Sequence, residues 1–163
     1  MINQEKLERL TPLAYQWAKT QEDFIHKHGV PLAPGQISDA QRGGVHDWSR
    51  VRVLVVDRIP LPADKELAEA AQRAQIITDA SRAVTVGHGI IIRADCWQNR
   101  ELLLHQFVHV AQCERSGGLE SFVEEYLGDR RTCADFSAGS LEEEARGLAC
   151  AICAADEATK RPA

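Results

Sequence analysis

The segment from Asn99 to Gly118 constrains the fold of this chain more than any other stretch, because it is apolar on most sides yet carries two histidines. Asn99 is a suitable helix N-cap, Glu101 falls in the first turn, and Gly117 with Gly118 ends the periodic pattern. A helix that is apolar on most of its surface packs at the centre of a domain. We therefore expect the rest of the chain to fold around this helix.

Length and charge narrow the possible functions. A chain of 163 residues with 44% apolar side chains suits one domain over residues 1–163. The net charge of -5, with basic residues spread along the whole chain, argues against nucleic acid as a partner. No apolar run approaches the roughly 18 residues of a membrane span, and no signal peptide opens the chain. With five cysteines, an odd number, we expect a cytoplasmic protein with reduced thiols.

The segments around the central helix predict an α+β domain. A helical pattern marks residues 4–28, with an interruption near Pro12. Runs of β-branched residues predict a buried strand at 51–56 and either one strand or a tight pair of strands at 83–93. Further helices are predicted over residues 38–42, 64–77, 119–130 and 140–157. We expect a core over residues 51–157, in which a short sheet supports the central helix and the last two helices close over it.

His105 and His109 stand four residues apart, so both imidazoles project from one helix face and can converge on one metal ion. On a largely apolar helix they are expected to be buried, and buried imidazoles need partners. Zinc binds imidazole nitrogen at about 2.0–2.1 Å and carboxylate oxygen at a similar distance, and a catalytic zinc site has three protein ligands. The acidic start of the last helix offers the third ligand, with Glu142 as the first choice and Glu144 as the reserve.

A simpler interpretation uses the same residues. The two histidines can be ordinary polar side chains, and the glutamates at 142–144 can simply complement the helix dipole. The chain would then be a metal-free helical binding module. Burial of two imidazoles on one face favours the metal site instead, because one cation supplies a partner to both.

The stretch from Leu102 to Gln112 resembles the H-E-x-x-H helix of small bacterial gluzincin-like zinc metallopeptidases. In that family the helix is followed by one that ends in Tyr-Leu, and then by a Leu-Glu-x-Glu-Ala segment that supplies the third ligand. Tyr126, Leu127 and residues 141–145 stand in matching order here. The resemblance covers roughly residues 51–149.

The resemblance implies a zincin-like, minimal gluzincin fold with a short mixed sheet, an active-site helix and flanking helices. It implies Zn²⁺ as the cofactor, with His105, His109 and Glu142 as ligands. The activity it implies is hydrolysis of peptide bonds in a peptide or protein substrate by zinc-activated water. The strand before the helix is then the edge strand along which an extended peptide aligns.

Gln106 departs from the family pattern, because it stands where the motif has its catalytic glutamate. That glutamate takes a proton from the water and passes it to the leaving amine, and an amide cannot accept a proton. Loss of a positioned acid or base typically costs on the order of 10²–10⁴ in rate. We expect little or no hydrolysis, either because Gln106 is an inactivating replacement made to trap the protein or because the chain naturally keeps the metal site without the chemistry. A non-catalytic zinc-binding or protein-interaction domain is the alternative function.

Gly87, His88 and Gly89 form the predicted substrate-binding segment, because they lie on the strand that the resemblance assigns to the peptide. His88 could face the cleft, although a surface or turn position is the alternative. Cys150 and Cys153 lie within a predicted helix, where we expect buried, inert thiols. Phe136 lies in the loop where a tyrosine would assist the developing oxyanion, and phenylalanine removes that assistance.

Overall fold

A small mixed sheet lies at the centre of the computed structural model, which describes residues 4–132 and 139–161. Its strands are β1 (Val30–Pro31), β2 (Arg52–Val56), β3 (Ala83–Val86) and β4 (Gly89–Arg93). The order across the sheet is β1-β2-β4-β3, with β2 and β4 parallel and the other pairs antiparallel. The predicted α+β class with a short mixed sheet is confirmed, and β3 forms one edge of that sheet.

Six α-helices surround the sheet within the described residues. They are α1 (Gln4–His28), α2 (Pro34–Arg42), α3 (Lys65–Arg73), α4 (Arg100–Arg115), α5 (Leu119–Thr132) and α6 (Ser140–Lys160). None of them combines the length and the apolar composition that crossing a membrane requires. The central helix predicted from the sequence is α4.

Strand β4 contributes to the core on both faces of the sheet. Ile90 and Ile92 pack with the apolar face of α4, whereas Ile91 packs on the opposite side with Ile25 of α1 and Ile77. All three strand residues are fully buried. This two-sided burial explains why the strand is a continuous apolar run rather than an alternating one.

Two sequence-based boundaries are wrong, for physical reasons that the structure supplies. Pro12 lies inside α1 without ending it, because the buried residues Leu10 and Ala18 pack on either side of it and offset the missing backbone hydrogen bond. Helix α3 ends at Arg73, before the predicted residue 77, and Gln75 takes a positive φ of 53° just beyond it.

Of the two alternatives for residues 83–93, the tight pair of strands is the one observed. The turn between β3 and β4 depends on Gly87, which has a φ of +62°. A side chain here would be strained by this backbone conformation, and its Cβ would also displace the carboxylate of Glu22, so the turn favours glycine. The hairpin places β3 beside α4, where Thr85 reaches that helix.

Candidate metal centre

Helix α4 positions the two histidines. Asn99 caps the helix, since its Oδ1 accepts the backbone N–H of Leu102 at 2.9 Å. Phe107 and its apolar neighbours face the core, which leaves His105 and His109 together on the adjoining face. His109 is buried, as predicted, with a side chain 8% exposed, whereas His105 is only half-buried, at 19%.

Glu142 comes from the first turn of α6, and two other helices hold that turn in place. The N-cap residue of α6 is a glycine, so Asp129 of α5 supplies the cap. Asp129 accepts hydrogen bonds from the hydroxyl of Ser140 at 2.6 Å and from the backbone N–H of Leu141 at 3.1 Å. Gln112 of α4 donates to the carbonyl of Leu141 at 2.9 Å. These contacts bring Glu142 to the histidines.

The side chains of His105, His109 and Glu142 meet in one group, which we call the three-ligand cluster. The two Nε2 atoms are 3.0 Å apart, and the carboxylate oxygens of Glu142 lie 3.1 Å from Nε2 of His105 and 3.4 Å from Nε2 of His109. Ligand atoms arranged tetrahedrally around zinc are about 3.3 Å apart when the bonds are about 2.0–2.1 Å. The three donor groups therefore have the spacing that one small cation requires.

Gln112 determines which nitrogen of His109 is available to a metal. Its Nε2 donates to the carbonyl of Leu141 and to the carboxylate of Glu144, which turns Oε1 towards Nδ1 of His109 at 2.8 Å. The Nδ1–H of His109 donates to that oxygen, so Nε2 of the neutral ring carries a lone pair. Because this lone pair faces the carboxylate of Glu142, a proton or a metal cation must relieve the repulsion between them.

Tyr126 completes the surroundings of Glu142, because its hydroxyl donates to Oε1 at 2.5 Å. Burial favours the neutral carboxyl of Glu142. The hydrogen bonds that a proton on the two imidazoles allows, together with the hydroxyl of Tyr126, outweigh burial and hold the pKa of Glu142 well below its usual range. Burial, together with the neighbouring carboxylate, raises the pKa of Tyr126 well above its usual value. At neutral pH the cluster therefore presents an ionised carboxylate, which is the form that binds a metal.

Gln106 lies beside the three-ligand cluster and is only 4% exposed. The hydroxyl of Thr85 on β3 donates to Oε1 of Gln106 at 2.9 Å. This hydrogen bond engages the side-chain oxygen and leaves Nε2 as a pure donor. The side chain can therefore donate a hydrogen bond to a group in the site, but it cannot accept a proton from one.

A cavity of about 1050 Å³ opens at the cluster. It is bounded by β3 and by five of the helices, and its wall includes Gln106 and all three residues of the cluster. Most of the remaining wall is apolar, with Trp17 as its largest aromatic side chain. A volume of this size is in the range of pockets that hold small organic ligands or short peptide segments.

Comparisons of the chain with known protein families, with curated proteins and with solved structures find no match. The site is therefore characterised by its own geometry and donor set. Two imidazoles and one carboxylate form a known ligand set of catalytic zinc sites, which leaves a fourth position for water or substrate.

The predicted substrate-binding segment lies away from the cavity of the three-ligand cluster. Gly87 lies in the turn of the β3–β4 hairpin, and Gly89 is the first residue of β4. His88 lines a separate, smaller cavity. The backbone N–H of His88 donates to Glu22 at 3.0 Å, and its ring contacts Glu114. The turn position is thus the one observed for His88. In this hairpin, the residue that reaches the site is Thr85 of β3, and the turn does not.

Asp47, His88 and Glu114 form a second group of potential metal ligands, which we call the capped cluster. Nε2 of His88 lies 2.9 Å from Oε1 of Glu114. The same carboxylate accepts the backbone N–H groups of His46 at 2.8 Å and Asp47 at 2.9 Å. Glu114 therefore already has three hydrogen-bond donors, and the arrangement is explained without a metal.

Glu144, the reserve ligand, points to a different partner. Its carboxylate accepts hydrogen bonds from Gln112 at 2.8 Å and from the guanidinium of Arg115, also at 2.8 Å. Glu144 thus holds the side chain that orients His109, while Glu142 alone of the three glutamates contacts the histidines.

The prediction of buried thiols in α6 is wrong. Cys150 is exposed and Cys153 is half-buried, because the buried stripe of this helix runs through Ala145, Ala149 and Ile152 instead. Both thiols are free. Phe136 lies outside the described residues.

Sequence reasoning missed three residues that organise the site. Gln112 and Asp129 have no motif of their own, because they act through hydrogen bonds to a helix that follows them by many residues. Tyr126 was identified only as part of a matching pattern, without a role. A signal did exist for Gln112: it stands three residues after His109, where an amide on a helix can reach an imidazole.

Proposed function

We propose that this chain is a zinc-binding protein built on a zincin-like metallopeptidase scaffold, with little or no hydrolysis of peptide bonds. Its ligands are His105, His109 and Glu142. The observation that carries the proposal is the three-ligand cluster, in which three donor groups converge at the spacing of a tetrahedral zinc site while Gln112 engages Nδ1 of His109 and leaves Nε2 facing the other ligands.

The surroundings of the cluster support a peptide as the ligand. Strand β3 is an edge strand with Thr85 beside the cluster, so its outer side is available to an extended chain. The adjoining cavity is largely apolar and has room for side chains. This combination of an edge strand, a metal-type cluster and an apolar cavity supports the zincin-like interpretation of the fold.

Bound zinc supplies a Lewis acid that polarises a carbonyl group and lowers the pKa of a water molecule to about 7. The residues of the chain provide the remaining functions. Tyr126 keeps Glu142 ionised and oriented, and Gln112 fixes the ring of His109. Gln106 can donate a hydrogen bond but cannot receive the proton that hydrolysis releases. The site is therefore suited to binding a peptide and poorly suited to cleaving it.

Zinc analysis tests the metal site. We expect protein purified without a histidine tag to contain about one zinc ion per chain, and Glu142→Gln to contain almost none, because that change removes an anionic ligand. Glu143→Gln is the matched control: it is the next residue on the same helix, it is exposed, and it should retain full zinc. Sub-stoichiometric zinc that does not depend on His105 or Glu142 would favour the metal-free binding module.

Restoring the general base tests the peptidase scaffold. We expect Gln106→Glu to raise zinc-dependent cleavage of a casein or peptide-library substrate by about 10²–10⁴, since the hydroxyl of Thr85 would hold the new carboxylate in its ionised form. The double variant Gln106→Glu with Glu142→Gln should show no such gain. If Gln106→Glu binds zinc but stays inactive on every peptide, the alternative function as a non-catalytic zinc-binding or interaction domain is favoured.

A further inference from the structure

Arg130 lines the same cavity as the three-ligand cluster, and its charge has no carboxylate partner among residues 4–132 and 139–161. The side chain is only 5% exposed. Its Nη2 donates to the carbonyls of Ala74 at 3.0 Å and Gln75 at 3.1 Å, whereas Nε is buried without a hydrogen-bond partner. An arginine stays protonated in a protein, so a full positive charge is buried here without an anion from the described residues.

Tyr126 links this charge to the metal-type cluster. The guanidinium carbon of Arg130 lies 5.9 Å from the centroid of the Tyr126 ring, and the ring of His109 lies 6.0 Å from the same centroid. The tyrosine hydroxyl also donates to Glu142. A peptide bound at the cluster would therefore need to extend by only a few residues to reach Arg130.

A purely structural role accounts for only part of the arrangement. By donating to the carbonyls of Ala74 and Gln75, Arg130 stabilises the chain just after α3. These are neutral acceptors, so among residues 4–132 and 139–161 neither the charge nor Nε of Arg130 is compensated. The adjacent carboxylate of Asp129 is engaged by Ser140 and Leu141 at the start of α6.

We propose that Arg130 anchors a carboxylate of the peptide ligand, either its C-terminal carboxylate or an acidic side chain, while the apolar cavity holds the neighbouring side chains. This inference rests on the proposed function, because it assumes that the ligand of the cavity is a peptide. Arginine pairs with carboxylates through charge-assisted hydrogen bonds, which are the strongest of their kind in proteins. The ligand supplies the anion that the described part of the chain lacks.

Calorimetry with three N-acetylated Leu/Ala hexapeptides tests the anchor. One peptide has a free C-terminal carboxylate, the second is amidated, and the third is amidated with one internal glutamate. We expect the parent to bind at least one carboxylate peptide about 10- to 100-fold more tightly than the neutral amide. Which of the two is preferred identifies the source of the carboxylate.

Variants of Arg130 separate anchoring from a structural role. Arg130→Met should abolish the preference for the carboxylate, and Arg130→Lys, which keeps the charge, should retain part of it. Each measurement is repeated after zinc removal with a chelator, because a carboxylate could also bind the metal. The anchor is overturned if the preference survives in Arg130→Met, if it disappears with zinc, or if neither carboxylate peptide binds more tightly than the amide.

The outcome for the Arg130 anchor can be distinguished from the outcome for the proposed metal site. Zinc stoichiometry is measured on the same samples, and the Arg130 variants are expected to retain one zinc per chain. Full zinc content without a preference for carboxylate peptides overturns the anchor alone. A zinc content that is the same in Glu142→Gln as in the parent overturns the metal site.

Discussion

Helix α4 contributes to two groups of histidine and carboxylate side chains, and the groups use similar residues for different ends. In the three-ligand cluster, Nε2 of His109 and the carboxylate of Glu142 face each other as acceptors. In the capped cluster, the carboxylate of Glu114 faces donors, namely two backbone N–H groups and the ring of His88. Two imidazole nitrogens face the carboxylate in the first group, whereas backbone donors occupy the carboxylate in the second.

The difference indicates how a proposed metal site can be told apart from an ordinary cluster of the same residue types. Closeness of histidine and acidic side chains is present in both clusters. What distinguishes them is the kind of group that faces the carboxylate. In the capped cluster these are mainly backbone N–H groups, which cannot bind a metal, and in the three-ligand cluster they include two imidazoles, which can. The predictions below test this distinction, from the largest expected effect to the smallest.

The largest effect is expected from zinc-linked stability. At free zinc about 1,000 times the Kd, binding should add about 4 kcal/mol to the free energy of unfolding of the parent. His105→Ala should lose this increment and His88→Ala should keep it, as measured by urea denaturation with and without zinc. Equal loss in both variants would show that the two clusters do not differ in the way described.

A smaller effect is expected from the residue that orients His109. Gln112→Met removes the acceptor for Nδ1–H at similar volume, and it should weaken zinc binding about 10- to 100-fold. Competition with a fluorescent zinc chelator measures the change. Glu101→Gln is the control on the same helix, since its side chain is exposed in the first turn of α4, and unchanged affinity is expected.

The smallest effect is expected from the capped cluster, and it should depend on pH. Glu114→Gln should lower the free energy of unfolding by about 1–2 kcal/mol at pH 7, because the ionised carboxylate accepts stronger hydrogen bonds than an amide. Burial opposes ionisation, but the backbone N–H groups of His46 and Asp47 and the ring of His88 hold the pKa of Glu114 below its usual value.

The sign of the pH dependence follows from that lowered pKa. The contribution of Glu114 is fully present above the pKa of an unfolded glutamate, about 4.3, and it is lost as the pH falls through the lower pKa of the folded state. The difference between parent and Glu114→Gln should therefore shrink between pH 5 and pH 3. Zinc-free protein is used, so that the three-ligand cluster does not contribute, and a constant difference would contradict the assignment.

Much of the fold was predictable because the deciding patterns are local. The cap at Asn99, the apolar run of α4 and the β-branched strands follow from backbone and side-chain preferences over a few residues. The predictions that failed depended on distant contacts. Pro12 stays within a helix because buried residues before and after it, Leu10 and Ala18, pack against other elements, and α6 exposes Cys150 because its buried stripe runs along another face of the helix.

By itself, the sequence determined that two imidazoles share one face of a central helix, because four residues make about one helical turn. It also determined that residue 106, where the resemblance to zinc metallopeptidases places the general base, is an amide. Only the tertiary structure decided that Glu142 rather than Glu144 meets the histidines, that Gln112 fixes the tautomer of His109, and that the charge of Arg130 enters the same cavity. These outcomes depend on how separate helices are oriented, and helix orientation is set by packing of the whole core rather than by any short stretch of chain.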